Sequence, residues 1–190
     1  SPSGLFDQQS YRSVGRGRPR GMKPLIATLL VMTILKTAAQ DSQAATVKTT
    51  FHRETSVSTI IKADPAIIWA LLTNASDYPR WNSTVTSIQG NIALGEKIVL
   101  KSTLDAKRSF KLKVKGFEPT KRLAWGDGKG LRTYTLRNNG DGTVIFSMHE
   151  RIGGLMFPMY AKYIPSFDEN FNAFAADLKR EAELIQSKAN

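Results

Sequence analysis

The C-terminal end of the chain carries an apolar pattern with the period of an α-helix. Apolar residues recur there at spacings of three and four, namely Phe167, Phe171, Phe174, Leu178, Ala182 and Ile185. This spacing places all six on one face of a helix. Ser166 with Glu169 three positions later has the form of a capping box, and Pro165 disfavours helix just upstream. The sequence therefore predicts a long terminal helix that begins at Ser166 and needs a surface to cover its aromatic face.

Segments typical of antiparallel strands precede this helix. The many β-branched residues between Thr46 and Ala63 favour one long first strand, bent or broken in the middle. Glycines and an Asn-Gly turn then separate six further segments of strand length. These are Val85–Gln89, Lys97–Leu104, Ser109–Phe117, Arg122–Gly126, Leu131–Arg137 and Thr143–Arg151. The pattern predicts a seven-stranded antiparallel sheet.

Two short helices are predicted between the first strand and the others. Asp64 is a good N-cap and Pro65 suits the first helical position, which indicates a helix over Pro65–Thr73. The stretch from Asn74 to Asn82 is typical of a turn or a second short helix. The fold class is therefore α+β, with the sheet covering the terminal helix. Such a sheet tends to leave a cavity beneath it.

Residues 1–44 do not read as part of a globular domain. Residues 1–21 lack an initiator Met and are rich in Arg, Gly and Ser, which fits a disordered leader or a remnant of cloning. Residues 22–44 have the pattern of a secretory signal, with a basic start, an apolar run and small residues before Ala44. Lys36 ends the apolar run short of the roughly 18 residues that a membrane span needs. We expect cleavage after Ala44 and a secreted, periplasmic location for one domain over 45–190.

Composition narrows the chemistry of this domain. The chain has no cysteine, which excludes disulfides, thiol nucleophiles and thiolate metal sites. Its formal net charge is +11, and alternation places Lys111, Lys113 and Lys115 on one face of a strand. Such a row can meet phosphate, but it is also how sheets discourage edge pairing, and secretion separates the protein from most nucleic acid. We expect no nucleic-acid partner and a transient contact with anionic membrane surfaces.

Several stretches resemble one superfamily. Ala63 to Leu72 together with Asp77-Tyr78-Pro79-Arg80-Trp81 is similar to the first helical region of the SRPBCC (START-like) superfamily, in its polyketide cyclase/dehydrase and lipid transport branch. Gly142 to Gly154 resembles the final strand of that branch, and Ala175 to Glu183 the end of its terminal helix. The resemblance implies the helix-grip fold, in which a curved seven-stranded sheet wraps around the C-terminal helix. It also implies a deep apolar cavity that binds a small hydrophobic or amphipathic molecule such as a lipid or polyketide.

Large apolar side chains are the candidates for the wall of this cavity. They are Trp81, Trp125, Tyr134, Phe146, Met148, Phe157, Tyr160, Phe167 and Phe171. The alternative is that they fill a solid core with no room for a guest. The apolar segment from Gly153 to Pro165 lies where a lid would sit, or packs as a short helix on the sheet edge.

The sequence offers only weak candidates for catalytic residues. His149 and Glu150 are neighbours in a strand and point to opposite faces, whereas His52 and Glu54 share a face but lack a third, orienting group. No phosphate loop, nucleophile elbow or His-x-x-x-His spacing occurs, so no catalytic residue, metal or cofactor is predicted. Binding or transport of the ligand is the leading hypothesis. The alternatives are a cyclase/dehydrase-type enzyme using Tyr134 or Glu150, and an interaction module with a filled cavity; the oligomeric state stays open.

Overall fold

The computed structural model of the chain describes residues 41–190. The predicted leader and the signal segment up to residue 40 lie outside the described residues. Within the described part of the chain, no helix combines the length and hydropathy needed to cross a membrane.

One antiparallel sheet of eight strands forms the body of the domain. The strands are β1 (Ser42–Lys48), β2 (His52–Ile61), β3 (Val85–Gln89), β4 (Lys97–Ser102), β5 (Ser109–Glu118), β6 (Arg122–Gly126), β7 (Gly130–Asn138) and β8 (Val144–Gly153). Their order in the sheet is β1-β2-β8-β7-β6-β5-β4-β3. The meander from β3 to β8 is thus closed at its far side by the first two strands, which confirms the helix-grip arrangement.

The first predicted strand is in fact two strands. The chain turns at residues 49–51, and β1 pairs back on β2 with Lys48 opposite Arg53. The Thr49 amide donates to the His52 carbonyl oxygen at 2.8 Å, which closes the turn. β-branched residues favour strand on both sides of this turn, and the break that the sequence allows in the middle of this segment is a hairpin turn.

Four helices accompany the sheet. They are α1 (Pro65–Thr73), α2 (Tyr78–Trp81), α3 (Phe157–Tyr160) and α4 (Asp168–Ala189). The Asp64 side chain caps α1 by accepting a hydrogen bond from the Ala66 amide at 2.7 Å, as the sequence predicts. A 3₁₀ turn over Ala75–Asp77 leads into α2, and another over Ala161–Tyr163 follows α3.

The terminal helix starts later than predicted. Phe167 occupies the N-cap position of α4 without a side-chain cap, and Ser166 only accepts a long 3.4 Å bond from the Asp168 amide. The predicted capping box is therefore wrong. The first turn instead carries the carboxylates of Asp168 and Glu169, whose charge favours a helix N-terminus.

The aromatic face of α4 is buried as predicted. Phe171, Phe174, Leu178 and Ala182 have no exposed surface. The helix lies against β1, β2 and α1 and reaches β8. The Phe174 ring lies 5.4 Å from the Tyr134 ring, centroid to centroid, and further aromatic rings surround it. The middle of the helix thus packs against a solid aromatic core.

The lysine row does not protect an edge of the sheet. Lys111, Lys113 and Lys115 are exposed, as alternation predicts. However, β5 lies between β4 and β6, and the edges of the sheet are β1 and β3. The interpretation as edge protection is wrong because strand position depends on long-range pairing, which a local charge pattern does not encode.

Candidate functional site

A cavity of about 240 Å³ opens at one end of the sheet. Its wall is formed by inward-facing residues of β4 to β8 and by the chain that leads into α4. Apolar side chains provide most of the wall, among them Leu100, Leu112, Trp125, Ile152 and Phe167. Alternation along each strand puts these residues on the concave face. The volume of the cavity lies just below the range of roughly 300–1,000 Å³ that is usual for ligand sites.

The mouth of the cavity is built from connections that all lie at the same end of the sheet. They are the loop between β4 and β5, the loop between β6 and β7, and the segment between β8 and α4. The segment between β8 and α4 contributes Tyr160, Tyr163, Ile164 and Pro165. Both interpretations of the Gly153–Pro165 segment hold in part, since it contains the short helix α3 and also borders the cavity.

The nine candidate wall residues fall into three groups. Trp125, Tyr160 and Phe167 line the cavity. Phe157 is a buried residue of α3, within the segment between β8 and α4, and borders a second, open groove. The other five are buried core residues that do not line the cavity, namely Trp81, Tyr134, Phe146, Met148 and Phe171. Aromatic character alone does not separate wall from core, because both are apolar environments.

Two charged residues that the sequence-based list missed lie in the cavity wall. Arg132 of β7 and Glu150 of β8 are directly opposite each other in the sheet. Arg132 Nε donates to Glu150 Oε2 at 2.5 Å, and the Arg132 guanidinium lies 5.1 Å from the Phe171 ring centroid. Their side chains are only 11% and 14% exposed. The pair is thus a buried ion pair on a mainly apolar wall.

Strand alternation in the sequence indicates the orientation of this pair. Tyr134 and Met148 were expected to face the interior, and side chains two positions apart in a strand share a face. Arg132 and Glu150 lie two positions from them on β7 and β8 and therefore face the same way. Strand alternation finds these residues, whereas a search for apolar side chains excludes them.

The electrostatics of the pair are set by burial and by mutual attraction. Burial alone would lower the pKa of Arg132, but the Glu150 carboxylate and the Tyr134 hydroxyl together outweigh it, and the pKa lies above its ordinary value. Burial raises the pKa of the neighbouring Tyr134 hydroxyl to about 12, against the opposing effect of Arg132. The Tyr134 hydroxyl has no hydrogen-bond partner in the described part of the chain. At neutral pH, Arg132 is charged and Tyr134 is a neutral phenol.

A second buried arginine fixes the chain that borders the cavity. Arg53 of β2 is 6% exposed and donates to the carbonyl oxygens of Ile164 at 3.2 Å and Pro165 at 2.8 Å. Its guanidinium lies 4.7 Å from the Phe167 ring centroid. Burial lowers the pKa of Arg53, while Glu150 and Asp168 oppose the shift. Arg53 therefore holds one wall of the mouth in place.

The histidines form a separate cluster on the convex face. Glu54 Oε2 lies 3.1 Å from His149 Nε2, and Arg151 Nη1 donates to Glu54 Oε1 at 3.2 Å. His52 Nε2 lies 3.4 Å from the same carboxylate. The opposite orientation of His149 and Glu150 follows the prediction. No group of acidic or histidine side chains within residues 41–190 has the arrangement of a metal site.

Residues 52–183 match the family described as polyketide cyclase / dehydrase and lipid transport. This match covers the sheet from β2 onwards and most of α4. The chain belongs to this family. The sequence has no match among curated proteins.

Solved structures share the fold. A START superfamily protein from Mycobacterium smegmatis is 14% identical over 70% of this chain and 98% of its own, with a TM-score of 0.53. Protein NE0264 from Nitrosomonas europaea is 13% identical over 76% of this chain and 100% of its own, with a TM-score of 0.54. The di-domain ARO/CYC StfQ from the steffimycin biosynthetic pathway is 10% identical over 70% of this chain and 46% of its own, with a TM-score of 0.53. Identities this low establish the fold alone.

Proposed function

We propose that this family member binds a small amphipathic molecule in the cavity, with its polar group against Arg132 and Glu150 and its apolar part along the wall. The observation that carries this proposal is the ion pair itself. Removing two charged side chains from water costs free energy. The attraction between the two charges does not always offset that cost. A polar ligand group would add hydrogen bonds at this point.

The pair retains hydrogen-bonding capacity. Both contacts between the two side chains use Glu150 Oε2. Arg132 Nη1 and Glu150 Oε1 take part in neither of these contacts. The pair therefore offers one donor group and one acceptor oxygen, which suits a ligand carboxylate, carbonyl or hydroxyl. A purely hydrocarbon ligand would leave both unsatisfied.

Binding is favoured over catalysis by the state of the candidate catalytic groups. Tyr134, with a pKa of about 12, is a poor general base at neutral pH and does not line the cavity. Glu150 is already engaged by Arg132. A cyclase or dehydrase reaction remains the second hypothesis, since the same pair would polarise a ligand carbonyl. The open cavity argues against an interaction module with a filled interior.

Two paired measurements test the proposal. Native mass spectrometry of protein purified from its own compartment is expected to show a bound molecule. For the stripped protein, displacement of the fluorescent probe anilinonaphthalene sulfonate by decanoate and by decanol compares an acid with an alcohol of equal chain length. Arg132→Met is expected to weaken decanoate binding at least about tenfold and decanol binding much less, since a charge-assisted hydrogen bond contributes about 1.5–3 kcal/mol.

Leu100→Trp is the matched control in the same cavity. Leu100 lines the wall without contributing charge, and a larger side chain there occupies ligand space. This variant is expected to weaken the acid and the alcohol equally. Equal binding of both probes by Arg132→Met and the native chain would contradict the role of the ion pair, and unchanged binding by Leu100→Trp would contradict the site.

We also infer that the chain is secreted, with cleavage before Asp41 rather than after Ala44. Asp41 Oδ1 accepts hydrogen bonds from the Ile60 amide at 2.6 Å and from Thr59 at 2.9 Å. The Ala44 amide donates to Asn172 at 2.7 Å. Cleavage after Ala44 would remove these contacts and the start of β1. N-terminal sequencing of the exported protein is expected to find Asp41 retained; a start at Ala45 would contradict this inference.

A further inference from the structure

The end of the molecule that carries the cavity mouth exposes an unusual number of large apolar side chains. Residues 41–190 contain eight such side chains that are mainly exposed, and five belong to this end. They are Phe51, Leu155, Met156, Met159 and Tyr163, with exposed fractions from 52% to 87%. We define the mouth surface as Phe51 together with residues 103–108, 127–129 and 154–165. Clustered apolar exposure of this kind marks an interaction surface.

The contacts of the backbone place Phe51 beside the other four. The Gly154 amide donates to the Phe51 carbonyl oxygen at 2.9 Å. A Cβ atom at Gly153 would lie 2.3 Å from that same oxygen, so only glycine permits the approach. The turn between β1 and β2 is thereby held against the segment that carries Leu155, Met156, Met159 and Tyr163.

The same end of the molecule also carries cations. The loops of the mouth surface contain four of them, Lys107, Arg108, Lys129 and Lys162, against two carboxylates, Asp105 and Asp127. Both carboxylates are turned towards amides of their own loops, since Asp105 accepts from Lys107 at 3.2 Å and Asp127 accepts from Lys129 at 2.7 Å. The loops of the mouth surface therefore combine exposed apolar side chains with an excess of positive charge.

Three of these cations lie over aromatic rings. Lys129 Nζ is 5.2 Å from the Tyr160 ring centroid, and Lys162 Nζ is 5.0 Å from the Tyr163 ring centroid. Arg108 lies 5.2 Å from the Phe110 ring centroid. Tyrosine rings and lysine side chains with apolar stems are suited to the headgroup region of a bilayer, where the stem is buried and the charge meets phosphate.

We propose that the mouth surface docks on an anionic lipid bilayer, with Leu155, Met156 and Met159 entering the headgroup boundary. Apolar insertion and attraction of cations to anionic lipid act together in such contacts. A bilayer can meet exposed apolar side chains with neighbouring cations without any partner of complementary shape. The proposal concerns the surface and holds whatever molecule the cavity binds.

Vesicle flotation tests this proposal. The probes are vesicles of phosphatidylcholine alone and of phosphatidylcholine with a quarter phosphatidylglycerol, at low and at high salt. The native chain is expected to float with the anionic vesicles at low salt and to bind the neutral vesicles at least about tenfold more weakly. The double variant Leu155→Asp/Met159→Asp is expected to lose binding to both, with an unchanged thermal unfolding temperature.

Matched controls separate the mouth surface from other exposed groups. Leu94 is 66% exposed in the loop between β3 and β4, at the opposite end of the sheet, so Leu94→Asp is expected to bind like the native chain. Lys129→Gln/Lys162→Gln is expected to weaken anionic binding about tenfold. The pair Lys111→Gln/Lys113→Gln removes equal charge from the convex face and is expected to have less effect.

Three outcomes would overturn the proposal. The first is flotation that survives Leu155→Asp/Met159→Asp. The second is a larger loss from Lys111→Gln/Lys113→Gln, which would place the contact on the convex face. The third is the absence of flotation together with self-association, measured by light scattering, that Leu155→Asp/Met159→Asp abolishes; the mouth surface would then bind a second copy of the chain.

Discussion

The space beneath α4 has two halves that differ in how they are filled. Around Phe174, the rings of Tyr78, Trp81, Tyr134 and Phe146 pack with centroids between 5.4 and 6.3 Å from its own. Around Phe167, the same sheet and helix leave a cavity of about 240 Å³ with an ion pair in its wall. One half is closely packed and stabilises the fold, and the other leaves the space in which we propose that a ligand binds.

The difference follows from which side chains the strands direct inwards. In the packed half, β7 and β8 contribute Tyr134 and Phe146, whose rings reach Phe174. Two positions nearer the mouth, the inward-facing residue of β7 is Arg132, and Glu150 opposes it on β8. The two side chains contact each other, and Arg132 also lies over the Phe171 ring, so neither fills the space beneath the helix. A change of residue class on the same two strands thus marks the boundary between core and site.

The largest expected effect is the loss of a ring from the packed half. Phe174→Ala is expected to lower the free energy of unfolding by about 3–5 kcal/mol, because a fully buried ring is removed from a close-packed region. Phe167→Ala is the counterpart at the mouth and is expected to cost less, since a cavity already borders that ring. Urea unfolding of both variants measures the difference. Equal losses would show that the two halves are packed alike.

The second effect concerns the ion pair. Glu150→Leu leaves the Arg132 charge buried without its partner and is expected to cost about 3 kcal/mol. The double variant Arg132→Met/Glu150→Leu removes both charges and is expected to recover most of that loss. Urea unfolding of the two single variants and the double variant closes a thermodynamic cycle. Additive losses would show that the two side chains act independently.

The third effect concerns the hydrogen bonds by which Arg53 holds the segment before α4 at the cavity mouth. Arg53→Met removes two hydrogen bonds to the carbonyl oxygens of Ile164 and Pro165 but keeps a side chain of similar length. It is expected to cost about 2 kcal/mol and to speed hydrogen exchange in residues 161–167 more than in β7. Uniform exchange across both segments would mean that Arg53 stabilises the whole fold and not the mouth in particular.

The sequence predicted the fold better than the site, and particular residues show why. The periodicity of α4, the Asp64-Pro65 cap and the alternation of β5 are local signals, and each predicted its element. The interior position of β5 depends on the order of all the strands in the sheet, which local patterns do not carry. The position of the cavity depends on which inward-facing side chains leave space unfilled. Trp125 and Phe146 are both inward-facing aromatic residues of strands, yet only Trp125 lines the cavity.

The smallest expected effect lies on the convex face, where charges meet water. The hydrogen bond from His149 lowers the pKa of Glu54, and Arg151 and His52 lower it further. Because the folded-state pKa is the lower one, the Glu54 charge stabilises the fold above its unfolded-state pKa, and this contribution is lost as pH falls through the folded-state pKa. Glu54→Gln is therefore expected to lower the thermal unfolding temperature slightly at neutral pH. The difference from the native chain should vanish in acid below the folded-state pKa, and a difference that persists there would indicate a packing role for Glu54 instead of an electrostatic one.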